Sequence, residues 1–413
     1  MIEINPRLES QLSWYYKVAN NQAPAKYLLC SKIPVQFDFD DSEEALWTIH
    51  NEGTEKFLEA FKGIKKGVLD YLKLKDQDKS LLDLNVTLAN KILTKCQFCE
   101  WQCNVNRTKI ENTKLGTCKL RNETKIGTFF HHRGEELIYR GTNGSGTIFF
   151  TSCNMRCAFC QNADISKDKD RGTLVTPDLV ASMAYKLGVE GCHNINFVGG
   201  EPTVNFHTIV EAIGLLPNYL KLKKPYNRII SSLNPDFVIY GNQPSKVDYN
   251  GSFNVPLLWN SNFFMSLKTM RILRTIIDIW LPDFKFSNNT CAIKLSRTPK
   301  YFETVTRNLL LLKDWEESFS IRHLIMPNHI DCCSKGIFEW LHNNIPDALI
   351  NVMDQYHPDC YANTKNPMYR EKYNEISRYV TTEEIIKAYT LAKYYKLHFE
   401  ELTFEKNVSG ILI

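Results

Sequence analysis

The chain has 413 residues, 43% of them hydrophobic, and a formal net charge of +4. That length can bury a large core and suggests two or three domains. No dense basic run marks a nucleic-acid surface, no run of about 18 apolar residues marks a membrane span, and the start, Met1-Ile-Glu-Ile-Asn-Pro6, lacks the plan of a signal peptide. A cytoplasmic protein without membrane contact is expected.

Residues 1–91 read as a mainly helical N-terminal region. A helix start is expected at Ser42, and Glu55 to Leu74 carries apolar residues at helical spacing. The acidic run Phe37–Asp41 reads as a solvated helix start, not a metal site. Residues 92–145 form a four-cysteine module, with short strands at Gly127–Phe130 and Glu136–Arg140. Its cysteines, Cys96, Cys99, Cys103 and Cys118, follow the pattern C-x2-C-x3-C-x14-C. Four soft thiolates suit zinc or an auxiliary iron–sulfur cluster, and the reading leans to zinc as a structural fastener.

From 146 to 355, strands alternate with helices. The strands are Gly146–Ser152, Asn194–Val198, either Arg228–Leu233 or Val255–Asn260, Ile277–Phe286, Ser318–Met326 and Leu349–Met353. Helices are expected from Thr176-Pro177, over His207–Leu222, Ser266–Ile276, Tyr301–Trp315 and Lys335–Asn343. This alternation predicts an α/β fold built on a parallel sheet. Six units are too few for a closed eight-fold barrel, so an open partial (β/α)6 barrel is expected, with ligands at the C-terminal edge of its strands. The turn-rich stretch 223–253 is either an insertion over the barrel mouth or a plain surface excursion. Residues 356–413 form a C-terminal extension, with a helix opened by the capping-box pattern Thr381-Thr-Glu-Glu384.

The chemistry concentrates at strand ends. Cys153-Asn-Met-Arg-Cys157-Ala-Phe-Cys160 spaces three thiols as C-x3-C-x2-C. Three thiolates can hold three corners of a cubic iron–sulfur cluster and leave the fourth iron open to a small molecule. Gly199-Gly-Glu201-Pro ends the next strand, where glycines allow close backbone approach and Glu201 offers a carboxylate. Trp259-Asn-Ser-Asn262 and Asp283-Phe-Lys285 put polar groups at two further strand ends. His323 lies on the strand after those, either beside the ligand or facing the core. The other six cysteines, Cys30, Cys192, Cys291, Cys332, Cys333 and Cys360, share no spacing and read as buried or incidental thiols.

The cysteine loop and the Gly-Gly-Glu-Pro strand end resemble the radical S-adenosylmethionine (SAM) superfamily. The four-cysteine leader, Trp259-Asn-Ser-Asn262, Leu281-Pro-Asp-Phe-Lys285, Arg322-His-Leu and Met353-Asp-Gln-Tyr-His-Pro358 look like the branch related to pyruvate formate-lyase-activating enzyme, over roughly residues 92–400. The resemblance implies a [4Fe–4S] cluster on Cys153, Cys157 and Cys160 and an open iron that chelates SAM. One electron then cleaves SAM to a 5′-deoxyadenosyl radical that takes hydrogen from a substrate. It places Phe159 near the adenine. Gly199, Gly200, Glu201, Asn260, Asp283, Lys285 and His323 would then lie around SAM. Activases often carry Asp where Asn260 stands. The implied partners are a low-potential electron donor, such as flavodoxin or ferredoxin, and a protein substrate receiving a glycyl radical. Radical modification of another peptide, an RNA or a metabolite is the alternative reaction. An iron–sulfur electron carrier or scaffold is the non-enzymatic alternative, and it leaves Glu201 and the Asp283–Lys285 pair unexplained.

Overall fold

The structure, a computed structural model, describes residues 6–109, 114–221 and 247–404. Its strands are β1 Thr124–His132, β2 Ser145–Phe150, β3 Thr173–Val175, β4 Ile195–Gly199, β5 Asp248–Tyr249, β6 Ser252–Phe253, β7 Leu257–Ser261, β8 Ile279–Pro282, β9 Ser320–Leu324 and β10 Leu349–Met353. β2, β4, β7 and β8 lie side by side in parallel. Parallel bridges at Trp280–Phe319 and Asp283–Arg322 carry the order on to β9, which pairs in parallel with β10. Six parallel strands in chain order, with helices between them, form an open partial barrel. β1 runs antiparallel along β2 and brings residues of the four-cysteine segment into the same sheet.

Local sequence explains the helices. Thr176, Ser266 and Asn288 cap Pro177–Val189, Leu267–Arg274 and Asn289–Ser296 by accepting a backbone N–H in the first turn. Thr381 and Glu384 form the expected reciprocal capping box before Thr382–Tyr394. Ser42 caps Glu43–Lys65, but that helix stops short of the expected Leu74 because Gly67 adopts φ 71°. Glu136–Arg140, expected as a strand, instead turns into a short helix, Leu137–Arg140. The chain bends there to carry Glu135 and Glu136 inward to Arg322 and cannot also run along the sheet. Val255–Asn260 was the correct middle alternative, as β7. Arg228–Leu233 lies outside the described residues, as does the 223–253 stretch apart from the β5–β6 hairpin.

The N-terminal helices close the lower end of the barrel. Leu8, Leu12 and Tyr15 pack with Ile138, Tyr139, Leu258, Ile279, Leu281 and Leu349. Asn194 donates to the Tyr15 hydroxyl at 2.9 Å, and the hydroxyls of Tyr139 and Ser320 meet at 2.5 Å. Each buried ring contributes about 1.5–3 kcal/mol by area alone, and these two also satisfy their polar tips. Asp278, at the start of β8, accepts from Trp14 Nε1 at 3.3 Å and from the Lys26 N–H at 2.9 Å, which fixes the helices to the sheet. No helix among the described residues is long and apolar enough to cross a membrane.

Candidate active site

β2 ends at Phe150, and Ser152 takes φ 67° as the chain turns into the cysteine loop. The end of β4 fits against this turn backbone to backbone. A β-carbon on Gly199 (φ 125°) would meet the Phe150 carbonyl oxygen at 2.2 Å, and one on Gly200 would meet that of Ser152 at 2.0 Å. These glycines are therefore required by the cysteine loop itself, not only by close approach to a ligand. The helix Asn289–Ser296 holds the loop from the other side, since Ala158 N–H donates to Leu295 O at 2.7 Å and Arg156 N–H to Ser296 O at 3.0 Å.

Cys153, Cys157 and Cys160 open onto a cavity of about 630 Å³ at the upper strand ends. Burial pushes the Cys157 thiol up to about 11, with the Lys285 ammonium pulling it down. Burial likewise pushes the Cys153 thiol up.

Phe159, Gly199, Gly200, Glu201, Asn260, Asp283 and Lys285 line the same cavity. Phe159 is held by Phe286 and Tyr356, with ring centroids 6.3 and 6.1 Å away. Lys285 Nζ donates to Asp283 Oδ2 at 2.6 Å, and the Tyr301 hydroxyl bridges the Asp283 carbonyl and the Lys285 N–H at 3.0 Å each. Burial works against the Lys285 charge, yet Asp283 and Cys157 raise its pKa above the usual lysine value. Glu201 ties strand ends together. Oε1 accepts from the Thr203 N–H and hydroxyl and from Ser261 Oγ, and Oε2 accepts from the Asn262 N–H at 2.8 Å. Burial raises its carboxyl pKa despite these donors.

His323 is elsewhere. Its Nδ1 meets the Phe284 carbonyl and its Nε2 the Ser334 hydroxyl, each at 2.8 Å, on the outer, helix-covered side of β9. Successive strand residues face opposite sides, so its neighbour Arg322 enters the cavity instead.

Arg322 leads to a group missing from the sequence reading. Its Nε donates to Glu136 Oε1 at 2.8 Å, and its Nη2 pairs with both Glu135 and Glu136. Asn196 donates to Glu135 at 3.2 Å, Asn351 donates to Glu136 at 2.8 Å, and His132 Nδ1 lies 3.0 Å from Glu135. Burial disfavours the Glu135 charge, but Arg322 and His132 hold its carboxyl below the usual range. Two carboxylates, one guanidinium and the His132 ring thus meet on this cavity wall. The adjacent pair Glu135-Glu136, next to His131-His132-Arg133, was the available sequence signal.

Cys96, Cys99, Cys103 and Cys118 surround a small enclosed void with Phe98, Val105 and Arg107. Arg107 is buried, donates to the Arg121 and Val204 carbonyls at 2.8 Å, and lies 4.0 Å from Cys96 Sγ. This module abuts the cysteine loop. Trp101 Nε1 donates to Asn154 O at 2.8 Å, and Arg156 Nη2 to Thr117 O at 2.6 Å.

The family model of the radical SAM superfamily matches residues 147–239. The chain is 36% identical over 393 residues to the uncharacterized protein MJ0674 of Methanocaldococcus jannaschii, covering 94% of this chain and 98% of the relative. Among solved structures, Streptococcus suis SuiB bound to precursor peptide SuiA is 11% identical, over 60% of this chain and 46% of that one, with a TM-score of 0.38. The anSMEcpe structure with bound AdoMet is 13% identical, over 59% and 55%, with a TM-score of 0.35. The chain thus spans about half the length of these solved structures. With the three-cysteine loop, the Gly-Gly-Glu strand end and a parallel partial barrel already in place, the chain belongs to the radical SAM superfamily.

Proposed function

We propose that the cavity binds SAM against a [4Fe–4S] cluster on Cys153, Cys157 and Cys160 and delivers a hydrogen-abstracting radical to a substrate seated against the Glu135–Glu136–Arg322 wall. One observation carries this reading: the cysteine loop, the Asp283–Lys285 pair and that charged wall face one cavity. When bound, cluster and SAM supply one-electron cleavage of a carbon–sulfur bond. Lys285 offers its ammonium to the SAM carboxylate, with Asp283 fixing its direction. Glu201 Oε2 has a lone pair left for the SAM ammonium. Phe159, clamped between two rings, presents a face for the adenine. Tyr15 and Tyr139 seal the lower end against water.

The four-cysteine module, for which the sequence leans to zinc, we read as an auxiliary iron–sulfur site because it abuts the cysteine loop. Its contacts with the cysteine loop suit electron delivery from a low-potential donor. The finer reading is activation of a protein by installing a glycyl radical. It rests on the branch motifs, and the Glu135 and Glu136 carboxylates on the wall suit a substrate presenting N–H donors.

Anaerobic reconstitution with iron, sulfide, SAM and dithionite tests the core reading, which fails if no 5′-deoxyadenosine or methionine forms. Partners captured from anaerobic native cells test the activase reading. A captured protein that acquires a glycyl-radical EPR signal after turnover supports it, whereas hydrogen loss from an RNA or metabolite instead rejects it.

A further inference from the structure

Cys291, Cys332 and Cys333 read from sequence as buried or incidental thiols, and the fold brings them together. They meet His329 outside the cavity, where the loop after β8 touches the turn after β9. The Sγ atoms of Cys291 and Cys332 are 3.8 Å apart, and those of Cys332 and Cys333 3.9 Å apart. His329 Nδ1 lies 3.2 Å from Cys332 Sγ and 3.7 Å from Cys333 Sγ, and all four ligand atoms fall within 4.8 Å of one another. A tetrahedral zinc ion with Zn–S near 2.3 Å and Zn–N near 2.0 Å needs S···S edges of about 3.8 Å and S···N edges of about 3.5 Å. We propose that Cys291, His329, Cys332 and Cys333 bind one zinc ion that clips the two loops together.

The surroundings suit such a site. His329 Nε2, on the far side of the ring, lies 3.2 Å from Glu375 Oε1, and a carboxylate there fixes the tautomer that leaves Nδ1 free for metal. The Cys332 carbonyl accepts from Ser287 Oγ and Asn288 Nδ2 at 2.7 Å each, so the loops already meet beside the ligands. Three soft thiolates and one imidazole select zinc over magnesium or calcium. The clip reaches the cavity through the helix Asn289–Ser296, which carries Cys291 near one end and accepts from the cysteine loop at the other. Zinc would thereby steady the loop holding Cys153, Cys157 and Cys160 without touching SAM.

Metal analysis of the full chain, purified anaerobically without chelator, provides the test. About one zinc per chain is expected, with X-ray absorption giving about three sulfurs near 2.3 Å and one nitrogen near 2.0 Å. The zinc should persist in Cys99→Ala and in the variant with Cys153, Cys157 and Cys160 all changed to Ala, and disappear in Cys291→Ser/Cys332→Ser. Hydrogen exchange in residues 287–297 and 329–335 should speed up on zinc removal. Should the double variant misfold, X-ray absorption at the zinc edge of the Cys99→Ala/Cys153→Ala/Cys157→Ala/Cys160→Ala variant decides the matter, since three sulfurs and one nitrogen there support the site and a four-sulfur shell or no zinc overturns it. A wild type that neither contains nor takes up stoichiometric zinc overturns the proposal. So does unchanged zinc in a folded double variant, or a Cys332–Cys333 or Cys291–Cys332 disulfide in the anaerobic protein.

Discussion

Gly200 lies so close to Ser152 that a β-carbon would stand 2.0 Å from the Ser152 carbonyl oxygen. The obstacle is backbone, so Gly200→Ala must displace the residue next to Cys153. Such overpacking costs about 1–3 kcal/mol, and the strain falls on the cluster loop. Iron bound at that loop and SAM cleavage should each fall by about tenfold or more. Iron analysis and 5′-deoxyadenosine yield check this, and wild-type values in the variant would show that the contact relaxes.

Arg322 pairs with two buried carboxylates. Arg322→Met leaves Glu135 and Glu136 facing each other without a cation, and losing one partner of a buried ion pair costs about 3–5 kcal/mol. Urea unfolding measures this loss. The triple variant Glu135→Gln/Glu136→Gln/Arg322→Met should recover most of the stability while losing substrate turnover and retaining SAM cleavage.

The two iron sites should separate by mutation. The reconstituted wild type is expected to hold about eight irons, and Cys99→Ala and Cys157→Ala about four each. Only Cys99→Ala should keep SAM binding at the cluster, read from the change in its EPR signal on adding SAM. A full iron complement in Cys99→Ala would remove the auxiliary site.

His323 predicts a pH effect. Burial lowers its pKa to about 4, against about 6.5 in the unfolded chain. Below pH 6.5 the unfolded chain gains a proton that the folded chain refuses. The stability from this residue is complete above that pH and lost as pH falls toward 4. From pH 7 to 5 the wild type should lose about 2 kcal/mol relative to His323→Gln. Denaturant midpoints at the two pH values measure the difference, and a constant gap would refute it.

The strands were legible because apolar runs such as Val255–Asn260 and Leu349–Met353 are bounded by turn residues, and the cysteine loop because its ligands are contiguous. What escaped depends on tertiary contact. Glu135 and Glu136 resemble any polar loop until Arg322 is brought against them. His323 drew attention where Arg322 deserved it, since the face of a strand is fixed by the pleat and not by chemical interest. Cys291 and Cys332 are 41 positions apart and meet only because neighbouring parallel strands end side by side. In the four-cysteine module, spacing alone does not distinguish one ion from a cluster.

Leu8, Leu12 and Tyr15 fill the barrel from beneath, so among the described residues the cavity lies at the upper strand ends, where the cysteine loop and the Arg322 wall share one space.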